Sequence, residues 1–112
     1  MKVIYISGPY RSDGWNGVWE NVMRARDVAR KLWRKGWVVI CPHTNTIFMD
    51  GPDLPGETFI RGDLELVRRC DAVFLLPNWE RSEGARIEWQ HAESLGKDIY
   101  QDEKDVPDEE AQ

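Results

Sequence analysis

Apolar positions along this chain follow two periods, and the switches between them divide it into strands and helices. Val3-Ile4-Tyr5-Ile6-Ser7 is a short apolar run that ends in the turn Gly8-Pro9-Tyr10-Arg11, the pattern of a buried strand. After a loop through Asp13, Gly14, Asn16 and Gly17, the period becomes helical. Val18, Val22, Ala25, Ala29 and Leu32 fall on one stripe between Val18 and Lys35, with Asn16 as candidate cap and Gly36 where a terminating glycine belongs. A second strand is predicted over Trp37-Val38-Val39-Ile40-Cys41, stopped by Pro42. The segment from Asp50 to Gly56 has no period and is rich in Gly and Pro, so it reads as a loop: a candidate lid or a disordered surface excursion. Helical spacing resumes from Thr58 to about Cys70 through Ile60, Leu64 and Val67. A third strand, Ala72-Val73-Phe74-Leu75-Leu76, leads to Ser82, the expected N-cap of a helix that closes at Gly96. Lys97 to Tyr100 gives a short edge strand.

Strands alternating with helices predict a three-layer α/β sandwich around a parallel sheet of about four or five strands, in an order of about 2-1-3-4 with right-handed crossovers. Residues 1–100 form one domain on this reading. Residues 101–112 are acidic, contain Pro107 and offer no core residue beyond Val106, so they are expected to be a mobile tail.

Composition narrows the chemistry. With 112 residues the chain is short for a two-lobed enzyme, so a complete pocket is expected to borrow from a second subunit; Trp19, Met23 and Trp33 lie beyond the apolar stripe of the first helix and either face that partner or widen the core. A homodimer is the expected assembly. The charge of −5 argues against a nucleic-acid surface, no apolar run reaches membrane-spanning length, and the strand-like start is unlike a signal peptide. A cytoplasmic setting follows as the default. Cys41 and Cys70 lack metal-ligand spacing, and His43 and His91 are isolated, so no metal is expected. No Gly-x-Gly-x-x-Gly or Walker-type loop is present, and the basic residues of the first helix, Arg24 to Lys35, read as a solvated face or else a docking patch.

The carboxyl ends of the first three strands bring Ser7 to Arg11, His43 to Asn45 and Pro77 to Glu88 to one crevice, where open α/β sheets hold their ligands. Ser82, the Gly84 amide and the dipole of the last helix form a candidate anion site, with Arg11 or Arg86 as its charge partner. Ala85, Glu88, Ala92 and Leu95 share a helical face, which would turn the Glu88 carboxylate inward; a rotated helix with Trp89 inward is equally compatible with the spacing.

Taken together, Tyr5-Ile6-Ser7-Gly8-Pro9-Tyr10, the Pro42-His43 strand end, Asp63-Leu64-Glu65, Cys70-Asp71-Ala72-Val73 and Ser82-x-Gly84-x-x-x-Glu88 resemble the nucleoside 2-deoxyribosyltransferase superfamily. The likeness is nearest to its 2'-deoxynucleoside 5'-monophosphate N-glycosidases and their small relatives, and it extends to Tyr100. The resemblance implies a flavodoxin- or Rossmann-like fold, cleavage of an N-glycosidic bond, no cofactor and a small nucleotide as partner. It implies Glu88 as nucleophile, Asp63 as the second carboxylate serving the leaving base, and Tyr5 against the sugar where a 2'-hydroxyl would otherwise sit. Gly8, Arg11, His43, Ser82 and Gly84 match substrate-binding positions, and serine at position 82 favours a 5'-phosphate over a free 5'-hydroxyl. Pro9 departs from the pattern, standing where the monophosphate enzymes carry a serine. Two other functions share these residues: a deoxyribosyltransferase, and a nucleotide-binding module without catalysis.

Overall fold

The computed structural model describes residues 1–12 and 14–109. Asp13 of the first loop and residues 110–112 of the expected tail lie outside the described residues. Four strands, β1 (Val3–Ser7), β2 (Val38–Ile40), β3 (Ala72–Leu75) and β4 (Asp98–Tyr100), pair in the order β2-β1-β3-β4 and every pairing is parallel. This is the predicted order. β1 and β3 occupy the centre, and their burial on both faces explains their unbroken apolar runs.

Alternation along the strands divides the core in two. Ile4, Ile6, Ala72, Phe74 and Leu76 pack with Ala25, Val28, Ala29 and Leu32 of α1 (Trp15–Arg34) and with Trp37. On the other face Tyr5, Val73 and Leu75 meet Val67 of α3 (Gly56–Arg69) and Ala92 of α4 (Glu83–Ser94). Helix, sheet and helix form the three layers. A one-turn helix, α2 (Pro42–Asn45), carries the chain away from the end of β2, with Pro42 at its start preset for helical φ.

Several boundaries differ from the sequence expectation. α1 begins at Trp15 on Gly14, without a side-chain cap, so Asn16 is an exposed helical residue and caps nothing. α3 starts at Gly56 because Pro55 is extended and stops propagation backwards. Trp19 and Trp33 remain 53% and 52% exposed, so they do not widen the core. No helix among the described residues is long and apolar enough to cross a membrane.

The expected mobile tail is the largest correction. Residues 103–105 form a 3-10 turn, and Val106 is 1% exposed in the α1-side core. Burying one such side chain stabilises by roughly 1.5–3 kcal/mol. Backbone bonding adds to it: Trp37 Nε1 donates to the Pro107 carbonyl at 2.8 Å, Lys35 Nζ to the Val106 carbonyl at 2.8 Å, and the Glu109 amide to the Lys35 carbonyl at 2.6 Å. Residues 101–109 therefore form a strap across the end of α1.

Gly36 is where this strap meets the helix end. Its φ is +95°, and a Cβ there would lie 1.9 Å from the Glu109 carbonyl oxygen. Gly36→Ala is accordingly expected to destabilise the fold by about 1–3 kcal/mol. Urea unfolding of the two proteins measures it, and an unchanged midpoint would show that the strap does not contribute.

Candidate active site

Tyr5 and Ser7 are two residues apart on β1, so both side chains leave the same face of the strand. On α4 the spacing of Ala85, Glu88 and Ala92 places all three on the buried face. These two registers bring the Tyr5 and Ser7 hydroxyls onto one carboxylate: Tyr5 Oη donates to Glu88 Oε2 and Ser7 Oγ to Oε1, each at 2.6 Å. Glu88 is 8% exposed. The inward orientation is therefore the one adopted, while Trp89 is half-buried beside Trp79, with ring centroids 5.3 Å apart. The sequence places Ser7 at the crevice but gives it no role there, although its alternation with Tyr5 carries the signal.

Burial sets the electrostatics. It raises the Glu88 carboxyl to about 7; the two hydroxyl donors oppose that rise, and the charge of Asp63 adds to it. Asp63, on α3, is raised to about 6 by burial, against the pull of the Tyr5 hydroxyl. The Tyr5 phenol is pushed well above its usual value by burial and then by the charges of Glu88 and Asp63, which keeps it a donor. Two carboxyls with raised and staggered affinities for protons thus share one wall with a phenol. That is the composition acid–base and nucleophilic chemistry needs.

A cleft of about 780 Å³ opens over this group and reaches Gly8, Arg11, His43, Asp63, Ser82, Gly84 and Glu88 together. Ser82 caps α4, its Oγ accepting from the Ala85 amide at 3.2 Å, which leaves the hydroxyl proton for a ligand. Gly84 faces open space. Gly8 has a packing role as well, since a Cβ there would lie 2.6 Å from Leu76 Cβ. His43 is buried, and its Nε2 lies 2.9 Å from the Pro9 carbonyl, an acceptor, so the proton sits on Nε2. Burial lowers its basicity, and its Nδ1 has no hydrogen-bond partner among the described residues.

Arg86 is not a cleft residue: its Nη1 donates to the Glu80 carbonyl at 2.6 Å. Arg24 and Arg81 line the cleft instead, and neither makes an ion pair among the described residues. Sequence spacing did not single them out for this place. Tyr10 supplies apolar wall from the turn expected at the crevice, and Phe59 and Ile60 supply more that was missed, because they come from a helix face whose rotation only the packed fold fixes. The two cysteines are free thiols raised by burial, and no group of three or more His, Cys, Asp or Glu suited to a metal occurs among the described residues.

A family model described as a domain of unknown function (DUF4406) matches residues 2–101. No curated protein matches the chain significantly. Among solved structures, the 2-deoxyribosyltransferase of Bacillus psychrosaccharolyticus aligns with a TM-score of 0.60 at 22% identity, over 87% of this chain and 69% of that one. The Leishmania mexicana 2-deoxyribosyltransferase aligns at 0.54 and 25% identity over 88% and 62%, and the Clostridium botulinum CMP N-glycosidase BcmB at 0.55 and 23% over 88% and 66%. The chain thus spans 62% to 69% of the length of these three proteins, and it has their fold. The resemblance drawn from the motifs holds at the level of architecture.

Proposed function

This chain belongs to the DUF4406 family, and from the cleft described above we propose that it cleaves the N-glycosidic bond of a 2'-deoxynucleoside 5'-monophosphate, with a plain or modified base. The carrying observation is the Glu88 carboxylate, buried in a cleft beside Asp63 and held by two hydroxyls at 2.6 Å each. Both hydroxyls fix the carboxylate in one orientation, which is what a nucleophile gains from its surroundings.

In the proposed reaction a Glu88 oxygen bonds to C1' of the sugar while the C1'–N bond breaks and its electron pair leaves with the base. Asp63 supplies the proton that makes the base a neutral leaving group. Water then attacks C1', the ester bond to Glu88 breaks, and the water's proton returns to Asp63. The products are free base and 2-deoxyribose 5-phosphate, and both carboxyls are restored. Two displacements replace one difficult one, as in retaining glycosidases, whose carboxyl pairs lie about 5–5.5 Å apart. At the 5' end, the Ser82 hydroxyl proton and the open Gly84 support a phosphate beside the positive end of α4. The exposed Trp19 and Trp33 on α1 support the expected homodimer.

Chromatography of products from deoxynucleoside monophosphates, ribonucleotides and free deoxynucleosides tests the substrate. Free base from the deoxy monophosphates alone is the expected result. Release from free deoxynucleosides at equal rate would remove the phosphate from the proposal, and diversion of the sugar onto an added second base would make the protein a transferase.

A further inference from the structure

Arg11 matches the position expected to meet the substrate's phosphate, but in this structure it already has an anion. Its Nη1 lies 3.5 Å from Asp50 Oδ2, and both residues line the cleft. Asp50 belongs to the loop of residues 46–55, which connects α2 to α3 and whose own pairing is a single bridge, Gly51 with Leu54. The residues on either side repeat the connection: Tyr10 Oη accepts from the Phe48 amide at 3.3 Å. Gly56 completes the seat, since a Cβ there would lie 2.7 Å from Arg11 Nη2. The guanidinium is thus held between a glycine and a carboxylate at the cleft wall.

From this we infer that Asp50 is an internal competitor for the substrate's phosphate at Arg11, so that phosphate binding displaces Asp50 and frees the 46–55 loop to rearrange over the cleft. This rests on the phosphate-bearing substrate proposed above and adds a specificity-determining residue to it. The physical basis is relative strength. Arg11 and Asp50 are both exposed, and an exposed ion pair is weak and screened by salt, whereas a phosphate offers a guanidinium two charge-assisted hydrogen bonds at once. An uncharged nucleoside cannot repay the separation of the pair and leaves it closed. Phe48 supports a loop that can move, because it stands at φ 60°, the left-handed region seldom adopted by residues other than glycine. The same competition gives Pro9 a consequence: with no hydroxyl at that position to help hold phosphate, discrimination falls more heavily on Arg11.

Titration calorimetry with 2-deoxyribose 5-phosphate, and with 2-deoxyribose as the uncharged control, tests the inference on the native chain, Asp50→Asn, Arg11→Gln and the double variant. Asp50→Asn is expected to bind the phosphate sugar about three- to tenfold more tightly than the native chain. Its affinity for 2-deoxyribose should not change, and the double variant should bind the phosphate sugar no better than Arg11→Gln. Equal or weaker binding by Asp50→Asn overturns the inference, as does a gain that survives without Arg11, which would be a general effect of removing negative charge. Absence of binding in all four proteins overturns it too, even where base release is observed. A gain through Arg11 without base release from any nucleotide would uphold the anion seat and refute the glycosidase proposal.

Discussion

Glu88→Gln is expected to lower base release by about 10⁴–10⁶-fold, because an amide cannot form the covalent glycosyl ester on which the proposed route depends. The same change is expected to stabilise the protein in mild alkali. The Glu88 carboxyl is raised from 4.5 to about 7, so the folded state holds its proton more tightly than the unfolded chain does. Its contribution to stability is fully present below about 4.5 and is lost as the pH rises through about 7. At pH about 8 the native protein therefore carries a penalty on the order of 3 kcal/mol that glutamine, having no charge to bury, does not. Thermal unfolding at pH about 5 and about 8 reads this difference, and stabilisation should appear only at the higher pH. Lost turnover combined with a raised melting temperature separates a nucleophile from a residue that merely supports the fold, whose removal would lower both.

Asp63→Asn is expected to cost about 10²–10⁴-fold, the usual value of a positioned general acid. Its effect should shrink for nucleotides whose base leaves easily without a proton. The pH profile gives a second signature. With Glu88 at about 7 and Asp63 at about 6, the two carboxyls together hold one proton between those values; it rests mostly on Glu88, and the competent form is the minor arrangement with the proton on Asp63, whose share rises and falls with the singly protonated pair. The rate should peak between pH about 6 and about 7 and fall on both sides. Below the peak both carboxyls are protonated and the nucleophile is lost; above it the pair is fully ionised and the acid is lost. In Asp63→Asn the alkaline fall should disappear. What remains is a single rise as Glu88 loses its proton, at a pH below about 7 because the Asp63 charge that raises Glu88 is gone. An alkaline limb that persists unchanged in Asp63→Asn would remove Asp63 from the role of acid.

The sheet was legible because its information is local. Apolar runs such as Ala72 to Leu76, bounded by Asp71 and Pro77, define central strands by themselves, and alternation with helical stripes fixes the parallel order. Tyr5, Asp63 and Glu88 were legible through the family resemblance, while periodicity left Glu88 and Trp89 both compatible with the inward position. Packing decided it, since Ala85 and Ala92 give that face of α4 the close approach to β1 that two hydroxyl bonds require. What the sequence withheld was long-range. The strap of residues 101–109 has one apolar residue, Val106, and is otherwise held by bonds to backbone carbonyls, which have no sequence signal, and by the ion pairs Lys31–Glu103 and Lys2–Glu109, whose partners lie far apart in the chain. Arg11 and Asp50 are partners across separate loops, and their pairing depends on a chain path that no period describes.

The most direct measurement is free base released from the deoxynucleoside monophosphates by the native protein and Glu88→Gln side by side, with the folding of both verified. The account predicts release by the native protein and none above background by the variant. Release undiminished in Glu88→Gln would contradict a nucleophilic Glu88, and no release by the native protein would contradict N-glycosidic cleavage of these nucleotides.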